Sequence, residues 1–372
     1  MLAQQRHDYV LEQLRAHGAV RVTDVVTGLG VSDGTVRRDL EVLESQGKLT
    51  RVRGGAVLPA GSVANPAGPR GAERPEAAAR TDGAIVGMLV PSTTYYYPEV
   101  IRGAQSAAAR AGARLVLGVT DYDHDRDLDQ LHDLIRSGSN GLLVTTADGP
   151  VIPAGVREFL ECCGLPYVLV ERRSAAVFDH AECVLSDHRQ GAYRAVEHLA
   201  ALGHRRVALF AHATPTANLV AEGHAEAVRL LGLDASAPVV APERSAGRPG
   251  IDDFAQACRD SGATAALVHS DREAILLLQR LRTHGVRIPE DLAVIAYDDE
   301  VAAFAEVPLT AVAPPKFELG RMAAAALLDR LGTADDPPVR QTVLQPRLVV
   351  RDSTGATAGE RRGAADAGVA LR

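Results

Sequence analysis

Two periodicities divide the chain. Over the first 58 residues apolar positions recur at helical spacing: Val10 and Leu14 suit a first helix, Val25, Val26 and Leu29 a second, and Val36, Leu40 and Leu43 fall at i, i+4 and i+7 of a third. Thr23 and Ser32 stand where helix N-caps belong. Between the second and third helices, GLGVS forms a short turn in which Gly30 supplies conformations other residues resist, the pattern of a helix-turn-helix. Gly47 ends the third helix, and KLTRVRGGAVLP then alternates like a small hairpin carrying Lys48, Arg51 and Arg53. The pattern predicts a winged helix-turn-helix domain over residues 1–58.

Past residue 83 the period changes. AIVGMLV (84–90), RLVLGV (114–119), GLLVTT (141–146) and PYVLVE (166–171) are continuous apolar runs of strand length, each followed by a helix-length amphipathic segment. RRVALFA (205–211), PVVAP (238–242), AALVHS (265–270) and LAVIAYD (292–298) repeat the pitch. Parallel strands require right-handed crossovers, so four strands plus four predict two doubly wound α/β lobes over residues 83–353, with TVLQPRLVVRDS adding a late strand or hairpin. Residues 59–82 hold four Pro and three Gly with Val63 as the one sizeable apolar side chain. They read as a linker spanning about 25–30 Å as a random coil. Residues 354–372 read as a frayed tail.

Composition narrows the class. A length of 372 residues fits several folded units, and 46% hydrophobic with 23% charged residues is average for a globular chain. No run reaches the 18 or more apolar residues of a membrane helix, and the charged N-terminus lacks a signal-peptide core, so a cytoplasmic protein is expected. Cys162, Cys163, Cys183 and Cys258 show no CxxC pair, which argues for reduced thiols and against zinc. Net charge is −7, but it is uneven: residues 1–60 hold eight Lys/Arg and seven Asp/Glu, leaving −8 on the remainder. Any contact with phosphates must come from cations concentrated in the head.

VSDGTVRRDLEVLESQGKLTRVRGGA, within residues 6–58, resembles the DNA-binding signature of DeoR-type transcriptional regulators. Burying Val36, Leu40 and Leu43 leaves Thr35, Arg37 and Arg38 to project near the N-terminal end of the third helix, the end that enters the major groove in such folds. Ser32, Thr35, Arg37 and Arg38 on this helix, with Arg51 and Arg53 in the wing, are the expected contacts to double-stranded operator DNA. Arg pairs bidentately with guanine or with a phosphate, and the sequence does not choose between them. The competing reading has Arg37 and Arg38 paired with Asp39, Glu41 or Glu44 on a solvated helix.

YYYPEVIRGAQSAAARAG, SDHRQGAYRAVEHLAALGHRRVALF, GVRIPEDLAVIAYDDE, PLTAV and LQPRLVVRDS resemble, in order, the ligand-binding body of LacI-type regulators, which is built like type I periplasmic binding proteins. The resemblance implies a hybrid transcriptional regulator, by family default a repressor, acting as a homodimer with a small polar effector between the lobes: a sugar, polyol or nucleoside. In open α/β sheets ligands sit beyond the carboxyl ends of the strands. Tyr96 and Tyr97 match the family's ligand-stacking aromatics, Arg172 its hydroxyl-binding Arg, and Asp187 and Asp271 its accepting carboxylates. Each has a plainer alternative: Asp187 and Asp271 as helix N-caps, Arg172 paired with Glu171 or another acid, the tyrosines as surface or dimer contacts. Val220 stands where the family usually carries an anchoring Arg, and a cleft that answers to a protein partner is the alternative function.

Asp121, Asp123 and Asp125 have calcium-loop spacing, but Arg126 replaces the required Gly and His132 the closing Glu, so a solvated helix start is expected and no metal. No GxGxxG, GxxxxGK[ST], HExxH or GxSxG occurs, so no cofactor and no enzyme activity are expected.

Overall fold

In the computed structural model, the residues described are 6–7, 9–11, 13–14, 19–29, 31–45, 48–52, 55–57, 81–175, 181–211, 214–241, 250–333 and 338–355. The chain divides between Glu73 and Arg74 into two compact units. Residues 59–80 of the expected linker lie outside the described residues.

In the first unit the described residues from 6 to 14 are helical. β1 (Ala19–Arg21), α1 (Val22–Leu29), α2 (Asp33–Ser45), β2 (Thr50–Val52) and β3 (Gly55–Val57) follow. β3 pairs antiparallel with both β2 and β1, so the expected hairpin gains a third strand too short to show a period of its own. Val10, Leu14, Val25, Val36, Leu40 and Leu43 are all buried and form one core with Val20, Val22, Leu49 and Ala56. Ser32 caps α2, its Oγ accepting from the Thr35 amide at 3.3 Å. Thr23 does not cap α1: β1 runs directly into a helix that starts at Val22, which leaves Thr23 inside the first turn.

The second unit is α/β with two six-stranded sheets. Lobe 1 begins with β4 (Ile85–Val90), α3 (Tyr97–Arg110), β5 (Arg114–Val119) and α4 (Asp127–Arg136). It continues through β6 (Gly141–Val144), α5 (Ala154–Cys162), β7 (Tyr167–Val170) and β8 (Cys183–Ser186). Lobe 2 follows with α6 (His188–Ala201), β9 (Val207–Ala211), α7 (Ala217–Leu230), β10 (Val239–Val240) and α8 (Ile251–Ser261). Then come β11 (Ala265–His269), α9 (Asp271–Thr283), β12 (Ala293–Tyr297) and β13 (Thr310–Ala313). The chain returns to lobe 1 for α10 (Lys316–Gly332) and β14 (Gln341–Leu344), and ends in lobe 2 with β15 (Arg347–Val349).

All eight expected strands are present. The expected hairpin at the C-terminal end is instead divided: β14 joins β8 in parallel in one sheet, and β15 joins β13 antiparallel in the other. Pro346 stands between them, where a ladder donor is not available. Thr354, assigned by sequence to the tail, is buried beside Ser353, whose Oγ donates to the Val294 carbonyl at 2.6 Å. Residues 356–372 lie outside the described residues. No helix among the described residues is long and apolar enough to cross a membrane.

α10 is tied to lobe 1 by close approach to α3. A Cβ on Gly320 would stand 1.9 Å from the Val100 carbonyl oxygen, and one on Gly103 1.9 Å from that of Phe317. These backbones touch only because neither position has a side chain. Gly320→Ala is expected to cost the second unit about 1–3 kcal/mol, as overpacking does. Calorimetry should show a lowered unfolding midpoint for that unit, and an unchanged midpoint would refute the close packing.

Candidate functional site

Two regions carry candidate chemistry, one in each unit. In the head, α2 presents Ser32 and Thr35 at its N-terminal end, with the two hydroxyls 2.8 Å apart. Arg38 is exposed on the same helix. The acids that were its alternative partners are occupied elsewhere. Arg6 donates to both oxygens of Asp39 at 2.7 and 3.0 Å, with His7 3.1 Å from Oδ1. Burial pushes the Asp39 carboxyl up, but Arg6 and His7 outweigh it and hold it below its ordinary range. Glu41 and Glu44 both accept from Arg51, at 2.7 and 2.8 Å.

Arg38 therefore forms no ion pair among the described residues. Arg51, expected on DNA, is instead committed to α2, where it braces the wing against the helix. Arg37 lies in α2, but its side chain falls outside the described residues, as does all of Arg53.

The second region is the cleft between the lobes, at the carboxyl ends of both parallel sheets. A cavity of about 220 Å³ is lined from lobe 1 by Tyr95, Tyr96, Tyr97, Tyr122 and Arg172, and from lobe 2 by Thr214, Thr216, His269, Arg272 and Asp298. Tyr96 and Tyr97 meet edge to face, with centroids 5.4 Å apart. The loop carrying them works because Tyr95 takes a left-handed backbone, φ 63°, which turns its side chain across to lobe 2.

Most polar groups here are already matched. Tyr96 donates to Glu171 Oε1 at 2.6 Å, and the same carboxylate accepts from the Ser186 amide and hydroxyl at 3.1 and 2.6 Å. His188, first residue of α6, stands 3.5 Å from Glu171 and 3.2 Å from the Tyr297 hydroxyl, so it links the lobes where the chain first crosses. Burial opposes the charge on Glu171, yet His188, Ser186 and Tyr96 bring its carboxyl down to about 2.

Arg172 lines the cavity as expected but is only 1% exposed. Its guanidinium donates to three backbone carbonyls, of Thr146, Asp148 and Glu171, and pairs with no carboxylate among the described residues. Asp187 caps α6, accepting from the Gln190 amide at 3.0 Å. It borders a neighbouring cavity rather than the tyrosine-lined one.

Asp271 is fully buried and does not line the cavity. Ser270 is the N-cap of α9. Asp271 Oδ2 accepts from the amides of Glu300, Val301 and Ala302 at 2.7, 2.6 and 3.1 Å, and Oδ1 from the Tyr95 hydroxyl at 2.5 Å. Both oxygens of Asp271 are thus used within the chain, away from the tyrosine-lined cavity where a ligand contact was expected, whereas Asp187 has one oxygen on the Gln190 amide and borders the neighbouring cavity. Val220 is also buried, in the lobe 2 core, so an Arg there would bury a charge rather than reach the cleft.

Two cleft residues escaped the sequence reading. Arg272 lies with its guanidinium carbon 4.2 Å from the Tyr95 ring centroid and pairs with no acid among the described residues. Asp298, at φ 88°, accepts from Tyr95 at 3.2 Å, while Lys316 donates to its backbone carbonyl and to Glu300. Arg272 stands three residues past β11 and Asp298 directly after β12, and only their positions just beyond parallel strands could have marked them. Asp123, His124 and Asp125 bring ligand atoms within 4.8 Å, but all three are exposed.

Residues 6–61 match the family model of a DeoR-like helix-turn-helix domain, and residues 196–354 that of a periplasmic binding protein-like domain. The chain is 28% identical over 344 residues to the arabinose metabolism transcriptional repressor of Geobacillus stearothermophilus, covering 89% of this chain and 90% of that one. It is 29% identical over 353 residues to the HTH-type transcriptional regulator MalR of Streptomyces coelicolor, covering 92% and 98%. Among solved structures, a LacI family transcriptional regulator from Enterococcus faecium with bound ribose is similar at TM-score 0.60 and 25% identity, over 73% of this chain and 98% of that one.

Burial pushes Asp298 up to about 6, against the opposing pull of Lys316 and His188. An unfolded Asp titrates near 3.9, so between roughly pH 4 and 6 the folded protein holds the extra proton and loses stability as pH rises. Asp127, buried under the Ala147 amide, is also raised to about 6 and acts with the same sign. Asp298→Asn should therefore reduce, not abolish, the gain in thermal midpoint of the second unit on going from pH 7 to 5. An identical gain in wild type and variant would show that Asp298 does not titrate between pH 5 and 7 in the folded protein.

Proposed function

From a transcriptional regulator that joins a DeoR-like helix-turn-helix head to a LacI-type, periplasmic-binding-protein-like body, we propose a cytoplasmic, homodimeric repressor whose effector is a sugar of monosaccharide size. The cavity carries this reading. Its volume of about 220 Å³ is below the roughly 300–1,000 Å³ of drug-sized ligand sites. That favours a pentose or hexose over an oligosaccharide. Tyrosine faces suit the apolar side of a sugar ring, while Arg272, Asp298, Thr214 and Thr216 offer donors and acceptors for its hydroxyls. The relative named for arabinose metabolism and the neighbour holding ribose support the same class.

Effector binding to one arrangement of the lobes shifts operator affinity through the difference in its affinity for the two. Ser32, Thr35 and Arg38 are the head's proposed contacts, with Arg37 beside them. Arg38→Ala should weaken binding to DNA selected from a random pool by about 1–3 kcal/mol, and Arg51→Ala by less, because Arg51 is held by Glu41 and Glu44. Fluorescence anisotropy over a salt series tests this ranking; an Arg38→Ala protein with wild-type affinity removes the proposed face.

For the cleft, thermal shifts against ribose, arabinose, glucose and cellobiose are decisive. A pentose or hexose should raise the midpoint and release selected DNA, and Arg272→Ala should reduce that affinity about tenfold or more, the effect of losing a charged hydrogen-bond donor. No shift with any monosaccharide would overturn the proposal.

A further inference from the structure

We propose that Tyr95 is the positioning residue that sets lobe closure: its hydroxyl latches lobe 1 to the anchored carboxylate of Asp271 in lobe 2, with Asp298 beside it, and its ring holds Arg272 at the cavity. This rests on the cleft being the effector site. Tyr95 belongs to the loop between β4 and α3, whereas both of its acceptors, Asp271 at 2.5 Å and Asp298 at 3.2 Å, belong to lobe 2. Burial and the two carboxylates keep the phenol protonated, so it remains a donor.

The acceptor side is rigid. Three consecutive amides from residues 300–302 converge on the second oxygen of Asp271, which fixes the carboxylate before Tyr95 arrives. The donor side is directed by the left-handed backbone at Tyr95, an arrangement uncommon for an aromatic residue. By contrast Tyr96 spends its hydroxyl on Glu171 within its own lobe. Consecutive tyrosines thus have separate roles, and the one without a counterpart in the paired-aromatic pattern makes the bond across the cleft.

The 220 Å³ cavity coexists with the latch, and Asp271 is not among its lining residues, so a bound sugar and the latch do not compete for that acceptor. They stabilise the same arrangement. Arg272 reaches the cavity wall over the Tyr95 ring, so closing the latch also places the cleft's unpaired guanidinium.

The test uses full-length protein and two variants, Tyr95→Phe, which removes the hydroxyl and keeps the ring, and Tyr95→Leu, which removes both. Hydrogen exchange without added sugar reads closure directly. In Tyr95→Phe, amides of residues 93–97, 298–302 and 214–217 should exchange several-fold faster, while β4 and β11 are unchanged. The amides of Thr214 and Thr216 matter most, because these residues line the cleft without bonding Tyr95. Calorimetric titration with ribose and arabinose should then show about tenfold weaker binding in Tyr95→Phe, the size of one charge-assisted hydrogen bond, and a larger loss in Tyr95→Leu.

Faster exchange confined to residues 93–97, unchanged exchange throughout, or tighter sugar binding in Tyr95→Phe would each overturn the latch. If neither sugar binds the wild type, the exchange result still decides the latch, and the effector proposal fails separately.

Discussion

The body is governed by the passage of one chain between two sheets three times. The crossings fall at residues 186–188, 313–316 and 344–347, and two of them contain proline. Each lobe is completed by segments that have visited the other: α10 and β14 close lobe 1 only after lobe 2 has been built, and β15 closes lobe 2 last. With both sheets parallel but for β15, the loops after their strands converge on one cleft. Everything about the site follows from that convergence.

Burying charge in such a cleft is costly, and the chain offsets the cost with its own donors. Glu171 is surrounded by Ser186, Tyr96 and His188; Asp271 by three amides and Tyr95; Arg172 by three carbonyls. These groups form a preorganised frame in which Glu171, Asp271 and Arg172 are held by the chain's own groups, while the buried Nε2 of His188 stands 3.5 Å from Glu171. Arg272 and Asp298 differ. Arg272 lies over an aromatic face with no acid beside it among the described residues, and Asp298, which burial pushes up to about 6, has Tyr95 and His269 on one oxygen. A polar ligand finds its strongest matches in groups of this second kind, because the framed groups have little capacity left.

The head shows the same logic on a solvated surface. Asp39, Glu41 and Glu44 share α2 with Arg38, and a reading of α2 alone pairs them with it. The structure gives them partners from other elements, Arg6 and His7 on one side and Arg51 of the wing on the other. The ion pairs join the head's elements together, and among the described residues Arg38 stays outside the network.

Sequence alone determined what depends on local period and turn chemistry. The apolar faces of Val36, Leu40 and Leu43, the Ser32 cap, and all eight strands with crossovers were legible because burial of one face imposes a spacing that the residues must carry. Tyr96, Tyr97 and Arg172 were legible as cleft residues because they follow parallel strands. β8, β13 and the division of β14 from β15 were not, since which sheet a short strand at a crossing joins depends on partners distant in the chain. Nor did sequence decide which carboxylates remain available. Asp271 is spent on three amides and Tyr95, one oxygen of Asp187 on the Gln190 amide and Arg51 on two glutamates, while Asp298 and Arg272 face the cavity. That outcome depends on partners 3 to 203 residues away in the chain, whose approach only the packed tertiary structure fixes.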